Sequence, residues 1–257
     1  MKRNIEITTA DGIAKASFFR PDGSEGKTLP GVLYYMDALG PREATDMMGE
    51  RLAAAGYVVL MPDLFYRFGA YGPFDGSSFG NETSRAEIMK MIRETTQEMT
   101  KKDSSAFLDA LESEGVSGPV GVVGYCMGGG RALTAAATYA DRIAAAASFH
   151  GGNLASEAPD SPHRLAGHIK ARVYVGVAGV DGSFPPEQSA RLAEALRTGG
   201  VDHIIENYVG MSHGWTVPDR GEIYSEKGSE RHWKRLLELF SETLKAPDAH
   251  SRVQGAR

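Results

Sequence analysis

The sequence predicts an α/β fold: a mostly parallel sheet of about eight strands, helices on both faces, and an antiparallel hairpin at its N-terminal edge. Three observations predict it. From residue 31 onward short apolar runs alternate with helical patterns, as crossover connections between parallel strands require. One such run, Val120 to Val123, leads through Gly124-Tyr125-Cys126-Met127-Gly128 into an alanine-rich helical run, Ala132 to Ala140. Finally, Asp37, Cys126, His150, Asp181 and His213 each follow a predicted strand, where open parallel sheets gather their chemistry.

Residues 3–9 and 13–19 are β-prone runs separated by Ala10-Asp11-Gly12, a turn signal for a hairpin. A polar loop, Pro21 to Thr28, precedes a buried-type strand at 31–36. Pro41 then opens a helix carrying Ala44, Met47, Met48, Leu52 and Ala55 at helical spacing. Tyr57 to Met61 is the next strand, stopped by Pro62-Asp63. Residues 64–81 lack periodicity and hold Phe65, Tyr66, Phe68, Tyr71, Phe74 and Phe79. An aromatic loop of that length reads as a lid or pocket wall, since disordered segments are poor in aromatics.

Two helical patterns follow, one with Ile88, Ile92 and Met99 on a face and one with Phe107, Leu108 and Leu111. Beyond the Cys126 segment, strands are expected at 143–149, 173–178 and 203–209. Helices are expected at 186–198 and 229–244, with a polar tail at 246–257. The reading is one domain, 1–257, with its core at about 3–245.

The composition fits a soluble globular protein: 257 residues, 42% hydrophobic, 24% charged, net charge −5 and pI near 5.8. The acidic balance argues against a nucleic-acid or anionic-membrane partner. No apolar stretch follows Met1-Lys2-Arg3, and none is long enough to span a bilayer. A single cysteine excludes an intramolecular disulfide and fits a reducing compartment. A cytoplasmic monomer or small homo-oligomer is the expectation. Neither HExxH nor CxxC occurs, and no GxGxxG or phosphate loop follows a strand, so no metal and no cofactor is expected.

A lone cysteine is by default a small buried hydrophobe. Glycines two before and two after Cys126, at a strand-to-helix turn, point instead to a nucleophile held in a strained elbow. A thiol with an ordinary pKa near ~8.5 needs a base or a positive field to attack well. The helix N-terminus supplies part of that field. Hydrolases with such an elbow order their triad as nucleophile, acid, histidine, and Cys126, Asp181 and His213 follow that order. His232 lies within the last helix, and His163, His168, His203 and His250 are not at strand ends. His150 is at a strand end but follows Cys126 closely, so it reads as either pocket lining or a structural residue. Asp160 and Asp202 are the alternatives to Asp181. The backbone N–H groups of Met127 and Ala38 are the candidate oxyanion hole.

These stretches resemble the dienelactone hydrolase (carboxymethylenebutenolidase) family of α/β-hydrolases, from about residue 5 to 243. The resemblance is carried by Gly124-Tyr125-Cys126-Met127-Gly128-Gly129, Met61-Pro62-Asp63-Leu64-Phe65, Gly179-Val180-Asp181 and Ser212-His213-Gly214-Trp215. It implies a Cys126–His213–Asp181 triad that hydrolyses a small-molecule ester or lactone through a thioester. It also implies that Asp37, one methylene shorter than the family's glutamate, contacts the resting thiol. The family's carboxylate-gripping arginine four residues beyond the histidine is replaced by Val217; Arg85 matches another, and Arg220 is an alternative. Further candidate substrate contacts are Tyr66, Tyr125, His150 and Trp215.

Overall fold

The computed structural model describes residues 1–244, so the predicted tail at 246–257 lies outside the described residues. The chain opens with a hairpin, β1 (Lys2–Thr9) and β2 (Gly12–Phe19), in which Thr9 faces Gly12 across the turn. There follow β3 (Gly31–Tyr35), α1 (Glu43–Ala54), β4 (Val58–Pro62), α2 (Glu82–Glu94) and α3 (Gln97–Ser113). The second half comprises β5 (Val120–Tyr125), α4 (Met127–Thr138), β6 (Ile143–Phe149), β7 (Arg172–Val180), α5 (Pro186–Thr198), β8 (His203–Ser212) and α6 (Glu226–Thr243). The strands form one eight-stranded sheet in the order β1-β2-β4-β3-β5-β6-β7-β8. β1 and β2 are antiparallel to their neighbours, and every pairing from β4 to β8 is parallel.

The apolar runs β3, β4 and β5 are buried along their whole length, because helices cover both faces of the sheet. One face packs against α1 and α6 through Met48, Leu52, Trp233, Leu236 and Phe240. The other packs against α2 to α5 through Ile88, Phe107, Leu111, Leu133 and Leu192. α6 lies unusually close to the sheet at Gly121, where a Cβ would stand 2.6 Å from the Phe240 ring.

The register sets the active end of the sheet. Tyr35 pairs with Gly124, Tyr125 with Phe149, and Phe149 with Gly176, so β3, β5 and β6 end level. β7 and β8 run on together until Val180 pairs with Ser212. Asp181 and His213 therefore leave the sheet side by side.

Several boundaries differ from the expectations. Met99 belongs to α3 rather than to the preceding helix: the chain breaks at Thr95, and the Thr96 hydroxyl accepts from the Met99 N–H as an N-cap. Neither Gly nor Pro marks that break. α4 begins at Met127, not at Ala132, its start hidden by three glycines of low helix propensity. The aromatic loop is largely stapled to the body: Phe65 and Phe74 are buried, and Phe65 and Tyr71 pack edge to face. Short 3-10 turns occupy Tyr66–Phe68 and Ser78–Gly80.

Candidate active site

Cys126 sits between β5 and α4 with φ +56° and ψ −119°, a backbone conformation that costs a non-glycine residue on the order of 1–3 kcal/mol. Its neighbours enforce the turn. A Cβ on Gly124 would fall 1.9 Å from the Gly128 carbonyl oxygen, and one on Gly128 would fall 2.3 Å from that of Tyr35. Only glycine fits either position. The Cys126 N–H donates both to the Phe149 carbonyl and to His150 Nδ1, each at 3.1 Å, which fixes the elbow to the end of β6.

His213 Nδ1 lies 2.7 Å from Asp181 Oδ2. The other carboxylate oxygen accepts from the Ser183 N–H (2.8 Å) and hydroxyl (2.6 Å). With Nδ1 committed to Asp181, Nε2 is the nitrogen left to face Cys126, which stands close enough to act on the imidazole. Burial opposes charge on His213. Attraction to Cys126 and the bond to Asp181 outweigh it and hold the imidazole up at about 10. Burial pushes the Asp181 carboxyl upward, but the His213 and Ser183 bonds win and leave it below the ordinary range. The arrangement favours the imidazolium form of His213 beside the Asp181 carboxylate.

His150, at φ +40°, stands beside this pair with its ring centroid 5.2 Å from that of His213. Burial first, then the neighbouring histidines, press it well below the usual histidine range. It is neutral: Nδ1 accepts from the elbow amide, so Nε2–H donates to Thr216 Oγ1 at 2.8 Å.

The Met127 amide opens α4 and so lacks an intrahelical acceptor. Ala38, after β3, lines the same cavity; the next two amides, Leu39 and Gly40, bond back to Asp37. The cavity holds about 700 Å³, within the range for small-molecule sites. Cys126, His150 and His213 lie in its wall beside apolar Phe79, Met89, Ile92 and Val217.

The sequence profile of the dienelactone hydrolase family matches residues 15–244, nearly the whole described chain. The chain belongs to the dienelactone hydrolase family. A Talaromyces stipitatus protein, hydrolase tropI, is 27% identical over 95% of this chain and 89% of its own. A Salmonella typhi protein provisionally named a carboxymethylenebutenolidase is 26% identical over 88% and 82%. Among solved structures, a provisionally named dienelactone hydrolase from Klebsiella pneumoniae subsp. pneumoniae superposes with a TM-score of 0.82 at 21% identity, covering 94% of this chain and 98% of that one. Family membership makes this protein a hydrolase of the ester-cleaving class.

Within this dienelactone hydrolase fold, the other expected site residues divide sharply. Asp37 lines the cavity, but its carboxylate is chelated by Arg42, with Nη1–Oδ1 at 2.8 Å and Nη2–Oδ2 at 2.9 Å, and it also accepts from the Leu39 N–H at 3.0 Å. Among the described residues it makes no bond to Cys126, so the expected contact with the thiol is corrected. Arg42 continues to Asp219, 2.6 Å from Nε, tying the Ala38 loop to the segment after His213.

Tyr66, Tyr125, Trp215 and Arg85 do not line the cavity. The Tyr66 hydroxyl is held by Thr9 and Asp103 under the hairpin. Tyr125 precedes Cys126 in a strand and so points to the opposite face, where its hydroxyl meets His232 Nε2 at 2.8 Å. Trp215 is fully buried between Tyr208 and His150. Arg85 is exposed on α2, whereas Met89, Ile92 and Arg93 of that helix reach the cavity. Arg220 does reach it, with Phe79 beneath its guanidinium.

Sequence reasoning missed Ser183, Arg42 and Arg131. Ser183 follows Asp181 by two residues, the spacing of an Asx turn, and could have been found. Nothing local marks the other two.

Proposed function

We propose that the protein is a cysteine-nucleophile hydrolase that opens a lactone or cleaves a small carboxylester through a thioester intermediate. The observation that carries this reading is His213 bonded to the Asp181 carboxylate and standing beside Cys126 in the wall of a substrate-sized cavity.

The chemistry follows from those positions. The Cys126 thiolate attacks the carbonyl carbon; a C–S bond forms and the π pair moves to oxygen, within reach of the Met127 and Ala38 N–H groups. Collapse restores the carbonyl and breaks the C–O bond, and the departing alkoxide takes the Nε2 proton of His213. The acyl group is now a thioester. His213, neutral again, removes a proton from water as that water attacks, and the second collapse expels the thiolate and leaves a carboxylic acid. From a lactone both new groups stay in one hydroxy acid.

The test is an acid-quenched incubation with p-nitrophenyl acetate and with a panel of five- and six-membered lactones, read by intact and peptide mass. The expected result is an acyl adduct on Cys126, with no turnover in Cys126→Ala or His213→Ala. An adduct on another residue, or turnover surviving in Cys126→Ala, overturns the mechanism.

A further inference from the structure

His150 directly follows β6 and is 1% exposed, yet it is a polar ring on a backbone at φ +40°. Among the described residues only Cys126, His150 and Asn153 carry a positive φ without being glycine. Two of those three are bonded to each other, since the Cys126 N–H donates to His150 Nδ1 at 3.1 Å. Such strain persists only where the surroundings enforce it, and it gathers at functional sites. The His150 N–H donates to the Gly176 carbonyl at 2.9 Å, which pins its backbone to β7.

The far nitrogen of the ring is held as firmly. Nε2–H donates to Thr216 Oγ1 at 2.8 Å, and Thr216 stands three residues past His213. The Thr216 carbonyl in turn accepts from the Ser229 hydroxyl of α6 at 3.3 Å. The same imidazole packs edge to face on His213. One side chain therefore touches the nucleophile's amide, the ring of the base and the segment that carries the base. Cys126 leaves β5 and His213 leaves β8, with β6 and β7 between them. Three inter-strand spacings, roughly 14 Å, separate those two strands, while Asp181 holds His213 only from the β7 side.

We propose that His150 is a positioning residue that sets the separation of Cys126 and His213 by bracing the elbow amide against the Thr216 segment. This rests on the hydrolase reading above and adds to it a side chain that acts through its neighbours. The brace needs a bare Nδ1 and a protonated Nε2, since a proton on Nδ1 would face the Cys126 N–H donor to donor. Burial first, and then His213, His232 of α6 and Arg220, oppose a positive charge on the ring.

The test measures kcat and KM for p-nitrophenyl acetate on the full chain, comparing wild type with His150→Leu, His150→Asn and Thr216→Val. His150→Leu should cut kcat about tenfold or more and leave KM within about threefold, because small displacements of reacting groups act on the chemical step. Asn can accept from the same amide through Oδ1 and tolerates a positive φ, so His150→Asn should recover most of that loss. A smaller loss in a folded His150→Leu, or a His150→Asn no better than His150→Leu, overturns the brace. If His150→Leu does not fold, the near-isosteric Thr216→Val, which cuts the other end, decides in its place. Its kcat should fall while KM holds, and an unchanged kcat rejects the proposal. A second readout needs no catalysis: the nitrogen NMR spectrum of histidine-labelled protein, assigned by the signals lost in His150→Asn, should show Nδ1 bare and Nε2 protonated. The opposite tautomer rejects the brace. If the wild type turns over no ester, the hydrolase reading fails, and alkylation of Cys126 by iodoacetamide decides the brace. A rate altered in His150→Leu and restored in His150→Asn supports it, and equal rates in all three proteins reject it.

Discussion

Arg42 chelates Asp37 with two hydrogen bonds of 2.8 and 2.9 Å, and the same guanidinium reaches Asp219 at 2.6 Å. One cation thus anchors the loop that carries the Ala38 amide to the segment that follows His213. The carboxylate beside the cavity is an element of architecture before it is a partner for the thiol.

Arg42→Ala leaves two carboxylates without their cation, and the side chain of Asp37 is only 7% exposed. Removing one partner of such a buried pair costs about 3 kcal/mol. For a chain of this size the melting temperature should fall by roughly 6–12 °C. Turnover should fall as well, since the Ala38 loop loses its anchor. A melt unchanged within 2 °C, measured by calorimetry, would contradict this role.

Gly128→Ala puts a methyl group 2.3 Å from the Tyr35 carbonyl oxygen. The backbone has to move there, and with it the Met127 amide and the elbow. A displacement near 1 Å at such a position costs about 100-fold in rate, and we expect at least that loss in kcat with a soluble protein. Near-normal kcat would show that the close approach is not needed.

Ser183→Ala removes one side-chain hydrogen bond to Asp181 while the Ser183 amide bond persists. One such bond is worth about 1 kcal/mol, so kcat/KM should drop about fivefold with little change in stability. A loss above 100-fold would mean that Ser183 does more than orient the carboxylate.

His213 and His150 make opposite contributions to the pH dependence of folding. His213 is raised to about 10 in the folded protein. Its stabilisation is complete below about 6.5, the value in an unfolded chain, and is lost as pH rises through about 10. His150 is depressed, so its contribution is present above about 6.5 and lost on acidification. Urea unfolding of wild type and His213→Gln at pH 6, 8 and 10 should show the wild-type advantage shrinking with pH. A gap that widens toward pH 10 would reverse the sign assigned to His213.

The sheet was readable from the chain because β-branched runs and glycine stops recur between helical patterns. The lining of the candidate site was readable because five polar residues fall just past strand ends, a relation that survives errors of a residue or two. Three things were not. The three glycines of α4 serve a close backbone approach, so propensity places the helix start too late. Tyr125 and Trp215 adjoin Cys126 and closely follow His213 in sequence yet point away, because strand alternation and local packing decide direction. Arg42 and Arg131 depend on partners far along the chain: Asp219 lies 177 positions from Arg42, and Thr95 lies 36 from Arg131. Sequence spacing carries no trace of such pairings.

The elbow thiol is the only cysteine in the chain, and it faces the cavity. A thiol-specific label therefore has one address. Titration with such a reagent counts competent sites directly in moles, and a fluorophore attached there reports on occupancy of the cavity against a background free of other labelled positions.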